Sequence, residues 1–182
     1  MISFAAKTID QLIAYASTHD LSLCGRAVRE LLRRGDDCLK YAPQIVQLLQ
    51  HCNAAVRDLA FRILERLGAG AVSAVIEALQ SATDRFRSYL ITLLPVVAEF
   101  ETWFPILDAE VRADDESIRY HAANCIARCY DKMSKWPDRA MTTLDRCVTL
   151  LRSCIDDPES RAHWPQARMT LRHLGLLEPE AV

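Results

Sequence analysis

Apolar residues recur along this chain at helical spacing, and strict strand-like alternation is absent. Three stretches carry the same stripe with a period of about 3.6 residues: Ala60, Ile63, Leu64 and Leu67, then Leu90, Leu93, Leu94 and Val97, then Ala122, Cys125, Ile126 and Cys129. Each stripe reads as the buried side of an amphipathic helix. Ahead of these helices stand Asp20-Leu-Ser-Leu-Cys24, Asn53-Ala-Ala-Val-Arg57, Thr83-Asp-Arg-Phe-Arg87 and Asp115-Glu-Ser-Ile-Arg119, which align without gaps. All four open on a residue whose side-chain oxygen accepts from an orphan amide in a helix first turn. Three residues later each has an apolar side chain: Leu23, Val56, Phe86 or Ile118.

Counting back from that apolar position by seven and eleven gives Ala16 and Leu12, Leu49 and Ile45, Leu79 and Val75, and Val111 and Leu107. A second amphipathic helix therefore precedes each capped one. Gly35 and Gly68 follow the capped helices, where a left-handed terminator belongs. The predicted unit is helix A, a polar turn, helix B and a stop, repeated with a period in the range of helical-repeat proteins. A fifth copy is placed with Ser160 as cap, Trp164 in the arginine slot, then Ala167, Leu171, Leu174 and Gly175, with Pro165 in the first turns. Pro95 is expected to end or kink the third B helix.

This pattern resembles the HEAT repeat family over nearly the whole chain. The stretches that carry the resemblance are Asn53-Ala-Ala-Val-Arg57-Asp-Leu-Ala60 and Asp115-Glu-Ser-Ile-Arg119-Tyr-His-Ala122, which look like the family's turn-plus-arginine signature. Cys24 departs from it in the arginine slot of the first copy, as suits an end-capping unit. The resemblance implies an all-α superhelix, a HEAT-like solenoid of about five helix pairs forming one domain over 1–182, with the B helices along its concave side. One helix pair cannot bury its stripe alone, so neighbours must stack.

Charge sharpens this picture. The 182 residues carry 22 Lys and Arg against 24 Asp and Glu, a net charge of −2. Taking the B helices as 22–34, 54–67, 85–98, 116–132 and 160–174, they hold 15 basic against 5 acidic residues, leaving 7 against 19 elsewhere. A face lined by one sign of charge focuses field and attracts an acidic partner. At roughly 100° per residue, the positions turned away from the core stripe include Arg29 and Arg33, Asp58, Arg62, Glu65 and Arg66, Ser88 and Thr92, Tyr120, Asn124 and Arg128, and Arg172. From this set Arg29, Arg33, Arg62, Arg66, Ser88, Tyr120, Asn124, Arg128 and Arg172 form the candidate partner-binding surface. Arginine outnumbers lysine 18 to 4, and its planar fork suits carboxylate or phosphate. The slot residues Arg57, Arg87 and Arg119 lie at the edge of the stripe and are expected to bond neighbouring turns, for instance at Asp84 or Asp115.

The chemistry of a catalytic or metal centre finds little support. His121, Cys125 and Cys129 share a helix at four-residue spacing, yet the apolar stripe accounts for both cysteines and a structural site needs a fourth ligand. Thiols in such a stripe have raised pKa values and make poor nucleophiles. The seven cysteines show no paired CxxC spacing, which reads as reduced thiols in a cytoplasmic protein. Phosphate-loop, GxSxG and HExxH motifs are absent. Trp103, Trp136 and Trp164 sit beside prolines and read as junction packing. The first ten residues lack a signal-peptide run, and Pro95 interrupts the longest apolar stretch, so neither export nor a membrane span is expected. No cofactor and no small-molecule substrate is expected.

The leading expectation is a protein-binding module, an adaptor or inhibitor that holds an acidic protein. The resemblance adds that compact HEAT-like proteins of bacteria include immunity proteins against toxins. A nucleic-acid binder, or an enzyme resembling HEAT-like alkylpurine DNA glycosylases, is the second reading, although a pI near 6.2 is low for a nucleic-acid-binding domain. The third reading is a subunit of a larger scaffold.

Overall fold

The computed structural model describes residues 3–133 and 141–156, together with residues 168, 169, 171, 172, 175 and 177. Among them the chain is all-α, with no strand. Nine α-helices are described: α1 (Ile9–Ala16), α2 (Leu21–Arg34), α3 (Ala42–Gln47), α4 (Ala54–Leu67), α5 (Val72–Ser81), α6 (Asp84–Val97), α7 (Phe100–Glu110), α8 (Glu116–Met133) and α9 (Met141–Asp156). The periodicity predicts one domain, and the contacts divide into two compact units, Met1–Glu99 and Phe100–Val182.

In the first unit α2 packs on α4 and α4 on α6, while α3 packs on α5 and α1 lies against α2. The second helices of the first three predicted pairs thus form one row. All eight residues counted back from Leu23, Val56, Phe86 and Ile118 are buried: Leu12, Ala16, Ile45, Leu49, Val75, Leu79, Leu107 and Val111. Leu67 and Cys129 are half-buried at the ends of their stripes. The other ten stripe residues of α4, α6 and α8 lie in the core. In the second unit α7 packs on α8 and α8 on α9.

The caps account for where the helices start. Asp20 accepts from the amides of Ser22 and Leu23, Asn53 from Ala55, and Asp115 from Ile118. Thr83 holds the cap position of α6 with extended backbone but makes no side-chain capping bond. Gly35 and Gly68 end α2 and α4 with φ of 56° and 52°, and a short 3-10 segment follows each before the next first helix. Pro95 lies in the last turn of α6, which stops two residues later at Val97. Of the fifth copy, Leu171 is buried and Gly175 has φ 68°. Its Ser160, Trp164, Pro165, Ala167 and Leu174, like Trp136, lie outside the described residues.

Candidate partner-binding face

The slot arginines sit in the first turns of α4, α6 and α8, their side chains reach back to the polar turns, and their geometry repeats. Arg57 Nη1 donates to the carbonyls of His51 and Cys52 at 2.7 and 2.8 Å. Arg119 Nη1 donates to the matching pair, Ala113 and Asp114, at 2.8 Å each. Arg87 Nη1 reaches the Ala82 carbonyl at 3.2 Å. These guanidinium groups staple the end of each first helix to the start of the second, satisfying carbonyls that a helix end leaves orphaned. For Arg119 the bonding partner is backbone and not the Asp115 carboxylate, which instead caps α8.

The outward positions are more varied than the periodicity implies. Arg29, Arg33, Arg62 and Arg66 are exposed on α2 and α4, and Arg128 on α8. Arg29 makes no hydrogen bond or ion pair among the described residues. Arg33 is held by Glu30 through Nε to Oε2 at 2.9 Å and Nη2 to Oε1 at 2.7 Å. Arg62 pairs with Asp58 at 3.2 Å. Arg66 Nη1 donates to the Leu32 carbonyl at 3.2 Å, tying α4 to the last turn of α2. Tyr120, Asn124 and Arg172 are half-buried, and Asn124 Oδ1 is shut off from solvent without a hydrogen-bond partner among the described residues.

Ser88 departs from its assignment to the outward set, because it is only 8% exposed. Ile91, one helical turn further on, is fully buried as well. Residues three apart share a side of a helix, so the covered arc of α6 extends one column beyond the stripe, and its short hydroxymethyl group does not reach past it.

Concavities are formed by described residues of the first unit. One, of about 580 Å³, lies between the segment Ser3–Ala5 and the arginines Arg26, Arg29 and Arg33 of α2. Arg34 builds its wall by donating to the carbonyls of Ala5 and Lys7, both at 2.9 Å. Phe4 is thereby laid 4.7 Å from the Arg26 guanidinium. Glu30 is the cleft's acid, and its hydrogen bonds from Arg33 and Arg34 hold its carboxyl down to about 2.

The second concavity, of about 370 Å³, has an apolar floor of Leu49, Ala54 and Phe61 and a rim of Arg57, Asp58, Tyr89 and Thr92. Tyr89 is fixed by two arginines: Arg57 Nε and Arg85 Nε each donate to its phenol oxygen at 3.1 Å. Burial pushes this phenol up, but those two bonds and the charges behind them outweigh it, leaving the group below its ordinary value. Sequence periodicity passes over Tyr89 and Arg85, since they flank the slot and lie on neither the core stripe nor the outward set.

Elsewhere the titratable side chains serve structure. His51 Nδ1 accepts from the Asn53 amide at 3.0 Å, which assigns the ring proton to Nε2. That nitrogen then donates to the Thr18 carbonyl at 2.9 Å, joining adjacent turns. Burial pushes the Cys147 thiol up to about 12 and raises Cys38 as well. Arg146 bonds Glu101 at 3.1 Å and lies 4.7 Å from the Phe104 ring, closing α9 onto α7. Trp103 is buried beside Phe100 and Phe104. No helix among the described residues is long and apolar enough to cross a membrane.

No protein-family model matches the chain, and no curated protein matches it. Among solved structures it is similar to the crystal structure of an engineered protein from the Northeast Structural Genomics Consortium. The two are 16% identical, the alignment covers 90% of this chain and 77% of that one, and the TM-score is 0.46.

Proposed function

We propose that this chain is a HEAT-type repeat protein that holds an acidic protein partner on the row formed by its second helices. The observation that carries the reading is the side-by-side packing of α2, α4 and α6, with Arg29, Arg33, Arg62 and Arg66 exposed along α2 and α4. The charge is concentrated at one end of that row. Helix α2 has four arginines against Glu30 alone, whereas α4 has three against Asp58 and Glu65. In the second unit, Tyr120, Asn124 and Arg128 of α8, together with Arg172, belong to the same candidate set.

Several features favour a protein over a nucleic acid as partner. Duplex binding draws on many phosphate contacts from a strongly basic surface, but this chain has a net charge of −2. Arg33 and Arg62 are already engaged by carboxylates. What remains is a short basic strip around Arg29, suited to the carboxylates of an acidic protein segment. An adaptor or immunity-type inhibitor acting in the cytoplasm fits this reading.

Affinity capture from the source cells tests it, using the wild-type chain and an Arg29→Glu, Arg62→Glu variant. The proposal expects the wild type to recover one acidic protein in stoichiometric amount and the variant to lose it. Recovery of nucleic acid without a stoichiometric protein would overturn it.

A further inference from the structure

The exposed arginines steer a partner, but they do not hold it tightly. Exposed ion pairs contribute little and are screened by salt, and interface energy concentrates in a few desolvated anchors seated in pockets. Among the described residues of the first unit, the 370 Å³ space over Leu49, Ala54 and Phe61 has the character of such a pocket. Ligand pockets span roughly 300–1,000 Å³, so this one sits at the small end and suits a single side chain.

Its rim says what kind of segment supplies that side chain. Asp58 is matched by Arg62. The hydrogen bonds of Arg57 and Arg85 go instead to neutral acceptors: the Tyr89 phenol for both, and the His51 and Cys52 carbonyls for Arg57. Among the described residues, neither guanidinium bonds a carboxylate; Arg57 lines the cavity, and Arg85 reaches its edge through Tyr89. Their grip on Tyr89, with both guanidinium groups also within 6 Å of its ring at 5.7 and 5.6 Å, sets one wall before any partner arrives. Pre-organisation of this kind reduces the ordering cost of binding.

We propose that this cavity receives one apolar side chain, aromatic or leucine-like, from an acidic segment of the partner protein, with a neighbouring carboxylate meeting Arg57 and Arg85. The proposal rests on the protein-binding reading above and adds to it the residue pattern that the partner must carry.

Fluorescence polarisation with the full chain tests the anchor. The probes are a fluorescein-labelled decapeptide with one phenylalanine among glutamates and the same peptide with alanine in its place. Burying one aromatic side chain predicts that the alanine peptide binds about tenfold or more weakly. Ala54→Trp fills the cavity from the exposed first position of α4, and Thr92→Trp fills it from the α6 side. In either variant the phenylalanine peptide should fall to the affinity of the alanine peptide. Equal affinity of the two peptides for the wild type, or a phenylalanine preference that survives both substitutions, would overturn the anchor. Salt-sensitive binding of both peptides in that case leaves the basic-face reading standing. Failure of both peptides to bind at low salt would count against both.

Discussion

Glu30 Oε1 accepts a hydrogen bond from Arg34 Nε at 2.9 Å, and the two residues occupy in α2 the stripe positions that Ile63 and Leu67 occupy in α4. The first helix pair thus replaces two apolar stripe residues with an ion pair. Arg34 Nη2 also donates to the Ala5 and Lys7 carbonyls, so the segment ahead of α1 is tied to the last turn of α2.

The hydrogen bonds from Arg33 and from Arg34 to Glu30 make the fold sensitive to acid. The Glu30 carboxyl is lowered from 4.5 to about 2, so the folded state binds its proton less readily than the unfolded chain. Its contribution is therefore complete above the unfolded value and is lost as pH falls from 4.5 towards 2. Denaturant unfolding across this range should show declining stability in the wild type. Glu30→Gln should be less stable at neutral pH and show a flatter acid limb.

Gly35 and Gly25 should respond to alanine with opposite signs. At Gly35, φ is 56° and an added Cβ would meet the Arg66 guanidinium at 2.6 Å. Backbone strain alone predicts a loss of about 1–3 kcal/mol, and displacing Arg66 from the end of α2 adds to it. Gly25 lies within α2 with nothing within 4 Å of its would-be Cβ. Gly25→Ala should stabilise by about 0.5–1 kcal/mol through helix propensity. Thermal unfolding of the two variants checks both signs.

Arg57 bonds two carbonyls and a phenol through one planar group, a geometry that a lysine ammonium cannot reproduce. Arg57→Lys should cost nearly as much as Arg57→Ala, about 2–3 kcal/mol. Chemical denaturation decides the point. Full rescue by lysine would show that charge, not the forked contact, matters there.

Tyr89 should ionise early. An alkaline titration followed by tyrosinate absorbance is expected to show one phenol below the ordinary value of 10.0. That component should vanish in Tyr89→Phe and move upward in Arg85→Gln, which removes one of the two donors.

The helices and the core were legible because a buried stripe with helical period leaves its mark at every turn. Leu12, Ile45, Val75 and Leu107, found by counting back from Leu23, Val56, Phe86 and Ile118, are all in the core. Gly35 and Gly68 could be read as stops because only glycine accepts positive φ without penalty. The surface was less legible. Periodicity gives a direction from the helix axis, but it does not say which neighbour covers that direction, so Ser88 was assigned outward and is buried. It also does not reveal what a cation already bonds. The Glu30–Arg33 and Asp58–Arg62 pairs lie at three- and four-residue spacings that allow an ion pair without requiring one, whereas the Arg66 bond to Leu32 and the Arg57 bond to Tyr89 span 34 and 32 residues and needed the packed helices.

Calorimetric titration of the captured partner into charge-altered variants distinguishes a partner seated on the second-helix row from one seated elsewhere on the first unit. Arg29→Glu with Arg62→Glu alters exposed residues of α2 and α4, while Gln47→Glu with Glu77→Lys alters exposed residues of α3 and α5 in the other row. The first pair is expected to weaken binding at least about tenfold, a change of about 1.4 kcal/mol, and the second to leave affinity within about twofold. Loss of binding with the α3 and α5 changes, and none with the α2 and α4 changes, would contradict the second-helix placement.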